Sequence, residues 1–332
     1  MLNGKIAPDV ACSSRVRLAR NLSDYPFPPA LDDAGRQAIL GTVGTALDGS
    51  GFSRDSNIGD SLYLHALSEQ NIVSREFADD RALHALYTDA GKTTSIMVCE
   101  EDHLRIQGFA HGLDLDTAAK HAFGAEQLLD GHIRFAFDRE LGYLTHCPTN
   151  LGTAMRASVM LFLPALTMTN RMGELKSQLE KIGVTIRGLY GEGSSADAFM
   201  YQVSNSRALG IAESDLLRKI DAVVKQIAAD ECSARDALFR ANRDLLTDKI
   251  MRSLGILRYA TMLSGKEFCD CYAYVRLGVS LGLVEDVTLE TLDKLLYAAM
   301  PANILLRGSN TAAAKNPVLR DKLRARIVRG SL

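Results

Sequence analysis

The spacing of apolar and polar residues changes along this chain near residue 235. Before that point, Thr94 to Val98, His103 to Gln107, Arg156 to Leu163 and Val184 to Arg187 are rich in β-branched or alternating apolar residues. Turn formers bound each run, which predicts short strands. Toward and beyond that point the spacing turns helical. Leu216, Ile220, Val223, Val224 and Ile227 recur at intervals of one face, and Thr288 stands as N-cap to a helix carrying Leu292, Leu295, Leu296 and Ala299. The pattern predicts an α+β domain over residues 10–234 and an all-α domain over 235–332, with the Glu213 helix running toward the boundary.

Composition narrows the class of protein. The 332 residues are 47% hydrophobic and 23% charged, ordinary globular material. With 38 basic against 40 acidic residues, net charge points to neither nucleic acid nor membrane surface as a partner, so a phosphate site has to be built locally. Met1 to Val10 carry neither the basic start nor the apolar core of a signal peptide, and the longest apolar stretch, Ala157 to Met168, is too short to span a bilayer. A cytoplasmic protein with reduced thiols is expected. Six cysteines form no disulfide framework, and Cys269 with Cys271 has no second Cys or His pair, so no metal bound by the protein itself is expected.

Four polar segments carry candidate chemistry. Ser13-Ser14-Arg15-Val16-Arg17 sets two arginines two residues apart, on one face if the segment is extended. Alone, the pair equally describes a solvated basic edge. In Cys99-Glu100-Glu101-Asp102-His103-Leu104-Arg105-Ile106-Gln107, alternation places Leu104 and Ile106 on one side and Glu101, His103, Arg105 and Gln107 on the other. The plain alternative there is an amphipathic strand with its charged face in water. Cys147 opens a turn-rich loop through Pro148, Asn150 and Gly152 that leads into Arg156-Ala157-Ser158-Val159-Met160. Such a cysteine is either a thiolate held by nearby positive charge or a small apolar filler. Arg187 ends a strand before a loop holding Gly188, Gly191, Glu192 and Gly193, built to approach a ligand or to move.

In this order the segments resemble the phosphagen (ATP:guanido) kinase family and, within it, the bacterial protein-arginine kinases of the McsB type. The resemblance runs from about Cys12 through Ala234 and resumes at Val275-Arg276-Leu277-Gly278 and Arg320-Asp321-Lys322-Leu323-Arg324-Ala325. It implies an antiparallel sheet flanked by helices, ATP and Mg²⁺ as cofactors, and the nucleotide bound by Ser13 to Arg17 (Ser13, Ser14, Arg15, Val16, Arg17), by Arg105, by Arg156 to Met160 (Arg156, Ala157, Ser158, Val159, Met160), and by Arg187 and Gly188. His103 would lie beside the nucleotide. Glu101 and Glu192 would grip the acceptor guanidinium, and Cys147 would help to orient it. The chemistry accounts for such a set. Phosphoryl transfer spreads charge over three oxygens, which planar, permanently charged guanidinium forks stabilise well. A guanidinium acceptor is a poor nucleophile until carboxylates localise its charge. No complete Gly-x-x-x-x-Gly-Lys-Ser/Thr phosphate loop occurs. The chain departs from the family pattern at Cys99, where Asn is usual, at Asn71, where relatives often carry His, and at Ala154, where Gly or Thr is common.

The nature of the acceptor rests on the same resemblance. Small-molecule phosphagen kinases carry a helical domain of roughly a hundred residues ahead of the Ser-x-Arg-x-Arg segment. Here twelve residues precede Ser13, and the expectation is an acceptor side open to protein substrates with exposed arginines. The Arg320-to-Ala325 motif would bind phosphoarginine through Arg320, Asp321, Arg324 and Ala325. Arg320 and Arg324 share a helix face, although a basic helix end is the plain alternative. A zinc-binding McsA-type activator, a Clp ATPase and a homodimer partner are further implications. A free guanidino-compound kinase and a non-enzymatic phosphoarginine-binding adaptor are the rival readings.

Overall fold

The computed structural model describes residues 9–188, 197–308 and 316–332. In chain order the first part holds β1 (Ala11–Arg20), α1 (Asp33–Leu47), β2 (Phe52–Arg54), α2 (Ser61–Glu69), α3 (Arg75–Asp79), β3 (Ala85–Asp89), β4 (Thr94–Val98), β5 (Leu104–His111) and α4 (Leu115–Asp130). There follow β6 (Phe137–Asp138), β7 (Gly142–Tyr143), β8 (Met155–Phe162), α5 (Pro164–Met168), α6 (Met172–Lys181), β9 (Val184–Gly188) and β10 (Met200–Asn205). The rest is helical: α7 (Glu213–Ala241), α8 (Arg243–Tyr259), α9 (Gly265–Ser280), α10 (Leu289–Ala298), α11 (Pro301–Gly308) and α12 (Pro317–Arg329).

Eight strands form one antiparallel sheet in the order β2-β3-β4-β5-β1-β8-β10-β9. Alternation divides its residues between two faces. Val16, Leu18, Ile106, Ala157, Val159, Ile186 and Val203 point to the back and are buried in the main core with α4 and α7. Gly108 lies on this face where a Cβ would meet Ala118 O at 2.1 Å, so only glycine lets α4 approach so closely. The front face is covered in two places. Leu86 and Met97 pack under α2 and α3, while Met160, Phe162 and Met200 join the core of α8, α9 and α10. Between these covers a polar strip is left on β5, β1, β8, β10 and β9.

Local signals explain the helices that frame this strip. Asp60 caps α2, Ser74 caps α3, Ser264 caps α9 and Thr288 caps α10, each by accepting backbone N–H groups of the first turn. α7 continues through residue 234 without a break and ends at Ala241. Among the described residues no helix is long and apolar enough to cross a membrane.

Candidate active site

The strip is cationic because of register. Arg17 pairs with Gln107 on one side and Arg156 on the other, Ala19 pairs with Arg105, Arg15 pairs with Ser158, and Arg187 pairs with Gln202, which pairs with Met160. Paired residues share a face, so Arg15, Arg17, Arg105, Arg156 and Arg187 all fall on the front. Arg20 has the opposite parity. It is buried behind the sheet, where Glu126 accepts its Nε–H at 2.5 Å and its guanidinium lies 3.5 Å from the Tyr143 ring centre.

Electrostatics separates these front-face arginines. Burial first, and then the charge of Arg156, lowers Arg15 to about 10. Burial and then Arg15, Arg105 and Arg156 push Arg17 well below its ordinary value. Such a cluster favours an anion that would relieve the repulsion. Arg15 donates to Asn71 O at 3.4 Å and to Gln107 Oε1 at 3.5 Å, and Arg156 donates to Ser204 Oγ at 2.9 and 3.2 Å. Alternation also sorts the remaining members of the predicted segments. Ser13 stands opposite Met160 and Ser158 opposite Arg15 on the front. Ser14, Val16, Ala157 and Val159 point to the back; the Ser14 hydroxyl donates to Gly112 O at 2.8 Å, and the other three are core. Their side chains are therefore turned away from the cationic face.

The acidic segment departs from simple alternation. β4 ends at Val98 and β5 begins at Leu104, so residues 99–103 form a tight hairpin turn closed by Cys99 N–H to His103 O at 2.8 Å. Cys99 takes a left-handed φ of +62°, a conformation that Asn accepts with less strain than other side chains. Ala154 has φ +47°, where a glycine is equally at ease. His103 does not line up with Glu101 and Arg105. It is fully buried, Nδ1 accepts Leu22 N–H at 3.0 Å and Nε2 lies 2.9 Å from Pro26 O, so both ring nitrogens are occupied by backbone. Burial lowers it to about 4, leaving a neutral ring that anchors the chain after β1.

Glu100 and Glu101 both hold Arg105, at 2.8 and 2.5 Å. Burial would lower the Arg105 guanidinium, but Glu100, Glu101 and Asp102 outweigh it and raise it instead. Asp102 and Asn21, which sequence reasoning does not single out, fix this turn. Asp102 Oδ1 accepts Asn21 Nδ2 at 2.7 Å and His146 N–H at 2.8 Å, and Asn21 Oδ1 accepts His103 N–H at 2.8 Å. The turn bearing Glu101 is thereby tied to the loop bearing Cys147, whose thiol lies 3.0 Å from Thr149 Oγ1. Glu192 lies outside the described residues; Gly188 ends β9 beside Arg187.

Above Arg15 and Arg17 a cavity of about 960 Å³ opens between α2–α3 and the helical domain, with Asn71, Val73, Phe268, Met300 and Arg324 in its lining. The Glu69 carboxylate caps α11 by accepting Ala302 N–H at 2.8 Å and Asn303 N–H at 3.0 Å, joining the two parts of the chain. Arg324 is buried and committed: Nε donates to Ala299 O at 3.0 Å and Nη1 to Leu263 O and Asp321 Oδ1 at 2.8 Å each. Ala325 is core, while Arg320 is half-exposed. Arg324 is thus a clamp among α12, α10 and the segment before α9, and Arg320 is the freer of the two. Among the described residues no group of three His, Cys, Asp or Glu side chains gathers as a metal cage.

Comparison with known proteins agrees with this geometry. Residues 59–234 match the ATP:guanido phosphotransferase C-terminal catalytic domain, and residues 243–332 match the protein-arginine kinase McsB C-terminal domain. The chain is 39% identical over 330 residues to the protein-arginine kinase of Caldanaerobacter subterraneus subsp. tengcongensis, covering 96% of each. It is 38% identical to that of Clostridium acetobutylicum, covering 89% of each. Among solved structures, the duplicated taurocyamine kinase from Schistosoma mansoni with bound transition state analog components aligns with a TM-score of 0.59 and 28% identity over 67% of this chain and 33% of that one. Lombricine kinase shares the fold, with a TM-score of 0.60 over 71% of this chain and 70% of the other. The chain therefore belongs to the ATP:guanido phosphotransferase family, in its protein-arginine kinase branch, and is an ATP-dependent guanido phosphotransferase.

Proposed function

We propose that this enzyme transfers the γ-phosphoryl group of ATP to arginine guanidinium groups in proteins. The observation that carries the reading is the register that brings Arg15, Arg17, Arg105, Arg156 and Arg187 to one sheet face beside Glu100 and Glu101. Donors fixed in advance at a partly dry site stabilise charge developing on a transferred phosphoryl group at little reorganisation cost. In this reading the five arginines hold the phosphates, with the base in the cavity above Arg15 and Arg17. Mg²⁺ bound with the nucleotide would supply further neutralisation of the phosphate charge beside these arginines. Glu101 orients the acceptor guanidinium and takes its proton, Glu192 supplies a second carboxylate, and Cys147 assists orientation.

Residues 10–234 act in this account as the catalytic domain and 235–332 as a helical domain with a phosphoarginine site at Arg320 and Asp321. Modified proteins would be delivered to a Clp-type protease, with an McsA-type activator and a second copy of the chain as further partners. Incubation with ATP, Mg²⁺ and either an arginine-rich protein or free arginine tests the reading. Acid-labile phosphate on protein arginine supports it. Label on free arginine alone, or on neither, refutes it.

A further inference from the structure

Arg105 sits between two adjacent acids that differ in setting. The Glu100 side chain is 2% exposed and the Glu101 side chain 37% exposed. Glu100 is also braced from outside its own hairpin: the same Oε1 that accepts Arg105 Nη1 at 2.8 Å accepts Ser74 Oγ at 2.6 Å, and Ser74 in turn caps α3. Glu100 Oε2 is buried with no hydrogen-bond partner among the described residues. Glu101, by contrast, has no comparable brace among the described residues, and its Oε2 is taken by Arg105 Nη2 at 2.5 Å. The carboxylate assigned above to the acceptor guanidinium is occupied by a guanidinium of the enzyme.

We propose that Glu100, braced by Ser74, is the pivot on which Arg105 exchanges Glu101 for the phosphoryl oxygens of the nucleotide, so that Glu101 opens to an acceptor guanidinium once nucleotide is bound. This rests on the reading of Glu101 as the acceptor carboxylate. Two guanidinium groups on one exposed carboxylate repel each other, so acceptor and Arg105 compete for it. A triphosphate on the cationic face offers Arg105 a stronger, more highly charged partner. The exchange is a turn rather than a departure, because Nη1 keeps its ion pair with the fixed Glu100. The unpartnered Oε2 gives the turning fork a second acceptor, so no donor need be stranded in a dry site. Ser74 and Glu100 are therefore positioning residues, acting on the reaction through Arg105. Nucleotide and acceptor binding become thermodynamically coupled, and reciprocally so.

The test measures binding of a blocked arginine-containing peptide by calorimetry, with and without the Mg²⁺ complex of a non-hydrolysable ATP analogue. Wild type should bind the peptide about tenfold or more tightly with the analogue present, within the usual range of such couplings. Arg105→Ala, lacking the competing guanidinium, should bind it with nearly the same affinity in both conditions. Ser74→Ala should reduce the coupling and kcat while leaving the nucleotide Kd within about threefold, and Ser74→Thr should restore both; a merely structural serine would not show that split. Absence of coupling in wild type, coupling unchanged in Arg105→Ala, or Ser74→Ala indistinguishable from wild type overturns the pivot. If Glu101→Gln still binds and phosphorylates the peptide normally, the assignment of Glu101 beneath it falls instead.

Discussion

Acidification should remove stability through His103, the residue that the family resemblance sets beside the nucleotide. Its ring is fully buried, with Nδ1 accepting from Leu22 N–H and Nε2 donating to Pro26 O. The first bond requires an unprotonated Nδ1 and hence the neutral ring, and burial lowers its pKa from 6.5 to about 4. Between those values the unfolded chain binds the proton and the folded chain does not. The contribution is therefore complete above pH 6.5 and is lost as pH falls toward 4. That interval, at 1.36 kcal/mol per pH unit, amounts to about 3 kcal/mol. Asp102 works in the opposite direction, since burial raises its carboxyl and its ionisation penalises the fold as pH rises. A comparison of wild type with His103→Gln leaves Asp102 in both and isolates the ring. Urea unfolding in half-unit steps from pH 7 to 4 should show wild type more stable at pH 7, with the difference shrinking by about 3 kcal/mol toward pH 4. Parallel curves would refute a buried neutral His103.

Four further outcomes follow from the same geometry. Glu101→Gln should abolish phosphorylation while ATP affinity, measured by calorimetry, is retained or tightened, because Arg105 no longer has to leave a charged partner. Arg17→Met should leave urea stability unchanged or higher, because a repelled, desolvated cation is removed, yet cost about 3 kcal/mol of transition-state stabilisation, read as a loss of kcat on the order of a hundredfold. Arg324→Ala should destabilise the helical domain by about 2–4 kcal/mol, since Ala299 O, Leu263 O and Asp321 lose their donor, whereas Arg320→Ala should leave the melting temperature unchanged and is the cleaner test of phosphoarginine binding. Ala154→Gly should raise stability by about 0.5 kcal/mol in urea, the left-handed strain slightly exceeding the added entropy of the unfolded chain.

Much of the fold is legible locally. The strands at Thr94–Val98 and Val184–Gly188 and the Thr288 cap follow from patterns spanning a few residues, and the two-residue spacing of Arg15 and Arg17 correctly places both on one face. The five-arginine face becomes visible only with the register, because Arg105 pairs with Ala19 and Arg156 with Arg17, 86 and 139 positions away along the chain. The charged run after Val98 misleads for a physical reason. A tight hairpin turn and an alternating strand look alike in composition, and the left-handed Cys99 that breaks the strand is a residue type not expected there. Asn21 and Asp102 escape notice since a buried polar pair has no local signature. Arg324 reads as a phosphate ligand because a helix-face pattern does not reveal which carbonyl oxygens a guanidinium meets.

The central claim is that the cationic face and Glu101 act together on a protein-borne arginine. It is tested most directly by mass spectrometry, under mild conditions that preserve acid-labile phosphate, of an arginine-rich protein treated with ATP, Mg²⁺ and either wild type or Glu101→Gln. The account predicts phosphoarginine with wild type and none with the variant. Equal modification by both enzymes, or phosphate found on residues other than arginine, would contradict it.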